Sequence, residues 1–213
     1  MYPSGGMVLV KIEGGPENYF VSDYGMGYEE SEMMGASGLF SRHAKAIADQ
    51  AGVGFDQHSF FVIEVPKDRL VGAVATIANC SQEAVTIAYY KLLEQKAKAE
   101  SVNLFERLVK IFPQNSVSKD VQIFGSSQTP HTVDAIVKLE KSVAVFDVAV
   151  PFPTSISSVV MKFHDIARLE KPPQRIVVVR KKEPFKTYLG VLSQAGSVIE
   201  TSVSDDIYRK VAA

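Results

Sequence analysis

Between Arg175 and Arg180 the chain reads Ile176-Val177-Val178-Val179, four apolar β-branched residues in a row with a charge at each end. A strand with one wet face alternates apolar and polar side chains. A strand without alternation needs cover on both faces, the condition of a parallel strand in a layered α/β sheet. Cover on both faces requires helices on both sides, and a parallel neighbour requires a crossover connection. The preceding sequence supplies one. Pro151-Phe152-Pro153 breaks a strand-like run, Thr154 or Ser155 caps a helix, and Ile156, Val159, Val160, Phe163 and Ala167 share one helical face before Pro172-Pro173 ends it.

Upstream of that crossover, three strand-like segments follow one another: Val121–Phe124, Thr132–Lys138 and Val143–Val150. A helical pattern ending at Phe112, stopped by Pro113, precedes them. The order is therefore helix, three strands, helix, strand, with a helix (185–195), a short strand (197–200) and a terminal turn appended.

The first part of the chain has a different grammar. Val8–Glu13 and Tyr19–Ser22 read as a hairpin around the turn cluster Gly14-Gly15-Pro16-Glu17-Asn18. A helical stretch from about Glu29 to Ala51 is interrupted by Gly35 and Gly38, and strands at 53–56 and 59–65 follow. A helix begins after Pro66, and Ser81 offers a second cap within it. That cap places the expected junction, giving a small α+β domain over 1–80 and an α/β domain over 81–213.

Charge excludes some functions. With 23 Lys and Arg against 24 Asp and Glu the net charge is −1, so the chain lacks the overall basic excess of a bulk nucleic-acid binder, although local patches remain open. The single cysteine, Cys80, makes neither an internal disulfide nor a cysteine metal site and reads as a packed thiol. No stretch approaches the ~18 or more apolar residues a membrane helix needs, and Met1-Tyr2-Pro3-Ser4 lacks the order of a signal peptide. The expectation is a cytoplasmic protein with no membrane partner.

Two acids stand out within the strand segments, Asp134 in His131-Thr132-Val133-Asp134 and Asp147 in Phe146-Asp147-Val148-Ala149. The ordinary reading makes each the polar member of an alternating strand. With the α-β-β-β-α-β order, they also resemble the PD-(D/E)xK nucleases of the restriction-endonuclease-like superfamily. There, an acid on the second strand and an acid-x-Lys on the third meet at a divalent metal. The implied fold class is α/β, an α+β N-terminal domain followed by a restriction-endonuclease-like C-terminal domain with a mixed sheet. The implied cofactor is Mg²⁺ or Mn²⁺, held by Asp134 and Asp147 with Glu106 of the preceding helix as a third carboxylate.

The sequence departs from that pattern at residue 149, which is alanine where the lysine belongs. Some members of the superfamily move the lysine to the following helix, and Lys162 is the candidate here. It lies about a quarter turn from the apolar face, where a lysine is ordinarily solvated.

Two passages also resemble bacterial and phage domains of unknown function. Tyr19-Phe20-Val21-Ser22-Asp23-Tyr24-Gly25 with Phe60–Ile63 is similar to domain eighteen-twenty-eight, and Phe124–Ser127 through His131–Asp134 to Lys162–Asp165 is similar to its companion, eighteen-twenty-nine. The resemblance brings no biochemical activity with it.

Three functions follow as expectations. The first is a degenerate nuclease-like domain that binds nucleic acid or a protein without turnover. The second is an active metal-dependent nuclease using Asp134, Asp147 and Lys162. The third is an interaction module, with a homodimer as its simplest form. Arg175, Arg180, Lys181 and Lys186 are the candidate phosphate contacts, and as nucleic-acid ligands they must form one connected patch. His131 and His164 have no convergent metal spacing, and His43 and His58 no visible partner.

Overall fold

A computed structural model describes residues 1–15 and 17–213, leaving the side chain of Gln114 aside. Pro16 of the expected turn cluster falls outside these residues. The chain forms two compact units, Met1–Glu94 and Gln95–Ala213. Ser81, where the sequence places the junction, sits inside a continuous helix, and its hydroxyl bonds to Asp23 of the first unit. The architecture is mixed α/β, with an α+β first part and a five-stranded mixed sheet in the second.

The first unit has strands β1 (Lys11–Gly14), β2 (Asn18–Ser22), β3 (Gly54–Asp56) and β4 (Ser59–Pro66) in an antiparallel sheet ordered β1-β2-β4-β3. Its helices are α1 (Met26–Met33), α2 (Ser37–Ala51) and the first part of α3 (Leu70–Ile111). The single helix expected from 29 to 51 is two, because Gly35 takes a left-handed φ of 74°. Asp23 organises this unit. Fully buried, it accepts hydrogen bonds from Gly25 N (3.3 Å), Gly27 N (3.4 Å), Phe60 N (2.9 Å) and Ser81 Oγ (2.7 Å), and Tyr2 Oη joins through Ser81 at 2.9 Å. One carboxylate thus ties together the start of α1, strand β4 and helix α3. Gly27 is required because a Cβ there would overlap Ser81 Oγ.

Contrary to the sequence expectation, helix α3 with the short turn before it is, by length and composition, long and apolar enough to cross a membrane. Its Ile77, Cys80, Ala84, Val85 and Ala88 are buried in the first unit's core, while only 28% of its most apolar stretch is buried. The Cys80 thiol is pushed up by burial, in keeping with a packed side chain.

In the second unit the end of α3 precedes β5 (Val117–Phe124), β6 (Pro130–Lys138) and β7 (Val143–Val148). Helix α4 (Pro153–Ile166) crosses to β8 (Gln174–Val179), followed by α5 (Leu189–Ala195), β9 (Ser197–Glu200) and α6 (Asp205–Ala212). The sheet order is β5-β6-β7-β8-β9, with β5, β6 and β7 antiparallel neighbours and β7, β8 and β9 parallel. Strand β8 is covered on both faces as its apolar run requires. Ile176 and Val178 pack with Leu104, Leu108 and Tyr208 of α3 and α6, and Val177 and Val179 with Val159, Phe163 and Leu192 of α4 and α5.

The terminal segment expected as a turn is helix α6. Arg107 of α3 holds it, donating to the carbonyls of Thr201 and Val203 and to Asp205 Oδ1 (3.0 Å) while lying over the Tyr208 ring.

The inside-outside alternation of β5 and β6 reverses at one point. Val121, Ile123 and Val133 face the α4 side, whereas Val117, Ala135 and Val137 face the α3 side. Strict period two would keep Val133 and Ala135 on the same face. The reversal falls at Asp120, whose φ is 49°, and at Asp134 across the ladder, the one opposed pair missing from an otherwise constant register.

Asp23→Ala leaves the buried amides of Gly27 and Phe60 and the part-buried amide of Gly25 without acceptors, at about 1 kcal/mol or more each. We expect scanning calorimetry to show the transition of the first unit lowered by several degrees, by roughly 3 kcal/mol in stability.

Candidate functional site

Strands β6 and β7 pair regularly from Lys138↔Val143 to Ala135↔Phe146. The next rung would join the backbones of Asp134 and Asp147. There the side chains take over. Asp134 N donates to Asp147 Oδ1 (3.2 Å), and Val148 N donates to Asp134 Oδ2 (2.7 Å). Each carboxylate therefore satisfies an amide of the opposite strand, and the strands part around the two acids. The parting opens a recess of about 470 Å³. Ala97, Lys98, Ser101 and Val102 of α3 and Ser155, Ser158, Val159 and Lys162 of α4 line it, together with Lys119, Asp120, Asp134, Asp147 and Val148.

The remaining carboxylate oxygens have different fates. Asp134 Oδ1 accepts from Ser101 Oγ at 2.9 Å. Asp147 Oδ2 is buried with no hydrogen bond of good angle, and its close contact is the ion pair with Lys162 Nζ. Lys162 is anchored separately, donating to the Thr132 carbonyl at 2.9 Å. Asp147 is only 3% exposed. Burial pushes its carboxyl up to about 7, against the pull of Lys162, and the neighbouring Asp134 charge adds to the rise.

The sequence-predicted residues separate into two groups. Asp134, Asp147 and Lys162 converge. Lys162 is not the solvated lysine its helical-wheel position implies, since its side chain is 15% exposed and bends to the sheet between the splayed strands. Ala149 packs in the α4-side core, leaving its place to the lysine from α4.

Glu106 does not join them. Five residues beyond Ser101 on α3, it is turned by about 140° at 100° per residue, is exposed and lies outside the recess. Ser101 holds the place expected of it. No group of three or more His, Cys, Asp or Glu converges on a cation position among the described residues.

The four candidate phosphate contacts do not form one patch. Arg175 starts β8 and Arg180 follows its end, roughly 16 Å apart at 3.3 Å per residue. Arg175 Nε donates to the Ala195 carbonyl (3.0 Å) at the end of α5, by the opposite end of β8 from Arg180. Arg180, Lys181 and Lys186 are exposed near the other end, Arg180 Nε 3.9 Å from Glu100 and Lys186 Nζ 3.3 Å from Glu183.

A second polar cluster is structural. Asp165 at the end of α4 accepts from Ser126 Oγ (2.9 Å), Ser127 N (2.9 Å) and Ser127 Oγ (2.6 Å), and His131 Nε2 lies 2.8 Å away. These bonds, from Ser127 foremost and then His131, hold its carboxyl well below the usual carboxylate range. The cluster pins the β5–β6 turn to α4, and Gly125 leaves room that a Cβ would take from Asp165. His58, without a partner in the sequence reading, stacks on Tyr28 with ring centroids 3.7 Å apart.

Sequence reasoning missed Ser101, Lys98, Lys119 and Asp120. None carries a motif, and only the meeting of α3 with β5 and β6 brings them to the acids. The one usable signal is the helical spacing of Ala97, Lys98, Ser101 and Val102, which puts small and cationic residues on one α3 face.

No family model matches the chain, and neither does any curated protein or solved structure.

Because the folded carboxyl of Asp147 titrates above its unfolded value, the native state holds that proton more tightly. Asp147 therefore costs stability as pH rises from about 4 to 7. We expect the stability difference between wild type and Asp147→Asn, from urea denaturation in chelator, to shift by roughly 2 kcal/mol in favour of the variant between pH 5 and pH 8.

Proposed function

We propose that the second unit is a divalent-metal-dependent nuclease whose reacting centre is Asp134, Asp147 and Lys162. The observation that supports this most is the convergence, in one recess, of two carboxylates from adjacent strands and a lysine from the following helix. The arrangement resembles the PD-(D/E)xK pattern with its lysine displaced to the helix, on an α-β-β-β-α-β run of elements.

The residues fit a hard divalent cation. Two carboxylates are the donor set that Mg²⁺ uses when water and substrate phosphate complete its shell. Asp147 Oδ2, buried and held by Lys162 alone, is the oxygen such an ion would share. When bound, the cation would supply charge neutralisation at the scissile phosphate and a more acidic water.

The chain's own residues have separable tasks. Asp147, at the floor of the recess, and Asp134, aligned by Ser101, present oxygens from a fixed backbone frame. Lys162 keeps its hold on Thr132 O while its ammonium faces the same space, positioned to stabilise charge growing on a phosphate oxygen. The recess floor excludes bulk water, which strengthens each of these interactions.

A second reading, binding without turnover, is favoured by one specific observation: all four carboxylate oxygens already have a protein contact.

Cleavage of plasmid and single-stranded DNA with Mg²⁺ or Mn²⁺ separates the two. We expect metal-dependent cutting by the wild type, abolished by EDTA and reduced by about 10² or more in Asp134→Ala, Asp147→Ala and Lys162→Ala. A folded wild type that cuts nothing with either metal removes the nuclease reading and leaves binding.

A further inference from the structure

Strands β7 and β8 run parallel with Val148 opposite Val178, so both end at the same edge of the sheet. Strand β7 delivers Asp147 there, and β8 runs directly into Arg180, Lys181 and Lys182. With about 4.8 Å between strands and 3.3 Å per residue, the backbone of Arg180 lies roughly 11 Å from that of Asp147. The Arg180 guanidinium lies 3.9 Å from Glu100 of α3, the helix whose Ala97, Lys98, Ser101 and Val102 line the recess. Lys98 and Lys119 line the recess itself. Lys98 and Lys181 are exposed and make no ion pair among the described residues, and the contact of Lys119 with Asp120 is long, at 3.8 Å.

Cations unpaired or only loosely paired beside two carboxylates have a physical purpose when the ligand is anionic. A phosphate approaching Asp134 and Asp147 meets like charge, and neighbouring phosphates must be held by cations for the central one to be brought close. We propose that Lys98, Lys119, Arg180 and Lys181 form a track for the backbone of a nucleic-acid strand, gripping phosphates adjacent to the one over the acids. This inference rests on the reading of the recess as a phosphodiester site. It drops Arg175 and Lys186 from the contact set, one at the opposite end of β8 from Arg180 and the other engaged by Glu183, and adds two lysines with no sequence motif. Glu100 and Glu183 among these cations keep the surface from attracting polyanions indiscriminately, so binding depends on a few specific contacts.

The test measures binding separately from cleavage. Fluorescence anisotropy with a labelled single-stranded DNA and with its duplex, in EDTA and again with Ca²⁺, is recorded over a range of salt. The proteins are wild type, Lys98→Glu with Lys119→Glu, Arg180→Glu with Lys181→Glu, and Lys138→Glu as a control at the opposite end of the sheet, each checked for folding by circular dichroism. Four contacts to a single strand give a slope of log K against log salt near −3, and losing two lowers it by about 1.4.

We expect each double variant to bind at least tenfold more weakly with that smaller slope, and Lys138→Glu to match wild type. The track is overturned if the wild type binds neither DNA, if either folded double variant binds within twofold of wild type, or if Lys138→Glu weakens binding as much. Binding that follows the track without any cleavage keeps this inference and removes the nuclease reading. Cleavage with both double variants unaffected does the reverse.

Discussion

The second unit is built around a substitution of side chain for main chain. Where β6 and β7 separate, the amides of Asp134 and Val148 would be left unpaired at the price of roughly 1–3 kcal/mol each, and the carboxylates of Asp147 and Asp134 accept them. The same two bonds open the recess and fix the acids on its floor. Satisfaction of the unpaired amides and preparation of a polar site are one structural event here, with Asp120 in left-handed conformation marking the kink on the neighbouring strand. A sheet paired to its end would have had neither the recess nor the burial that raises Asp147.

Three buried or partly buried aspartates make the distinction between support and site concrete. Asp23 receives four donors and faces no opening, so its charge is fully engaged in joining α1, β4 and α3. Asp165 receives donors from a single turn and from His131, and is held ionised by them. Asp147 is as buried as Asp23 but accepts one amide, and its second oxygen depends on one lysine at the edge of a cavity. Burial alone does not separate these roles. The number of fixed donors does, because a carboxylate saturated by the fold has nothing to offer a ligand.

Much of the fold was legible because it follows from local pattern. The unalternating run 176–179 demanded two covered faces, Pro151-Phe152-Pro153 marked the crossover, and Pro113 ended α3, each a constraint the chain cannot evade. The acids were legible as a pair by their strand positions. The rest depended on contacts distant in sequence. The burial of Lys162 requires knowing that β6 and β7 part beneath it, and the replacement of Glu106 by Ser101 requires the rotation of α3. The separation of Arg175 from Arg180 is read only once both ends of β8 are placed. Strand parity, applied uniformly along β6, fails at Asp134 because the chain re-aims there, a break no period-two pattern encodes.

The place of Lys162 on α4 follows from the same geometry. At residue 149 a side chain two positions beyond Asp147 points into the core shared with Ile156, Val159 and Phe163, where an ammonium would be stranded, and alanine is the small apolar residue that fits. A lysine reaching from α4 instead brings its alkyl stem over the helix face and delivers only its head to the acids, with Thr132 O as a second anchor. One ammonium thus serves both the Asp147 carboxylate and the Thr132 carbonyl, and closes the set of protein contacts on the two acids.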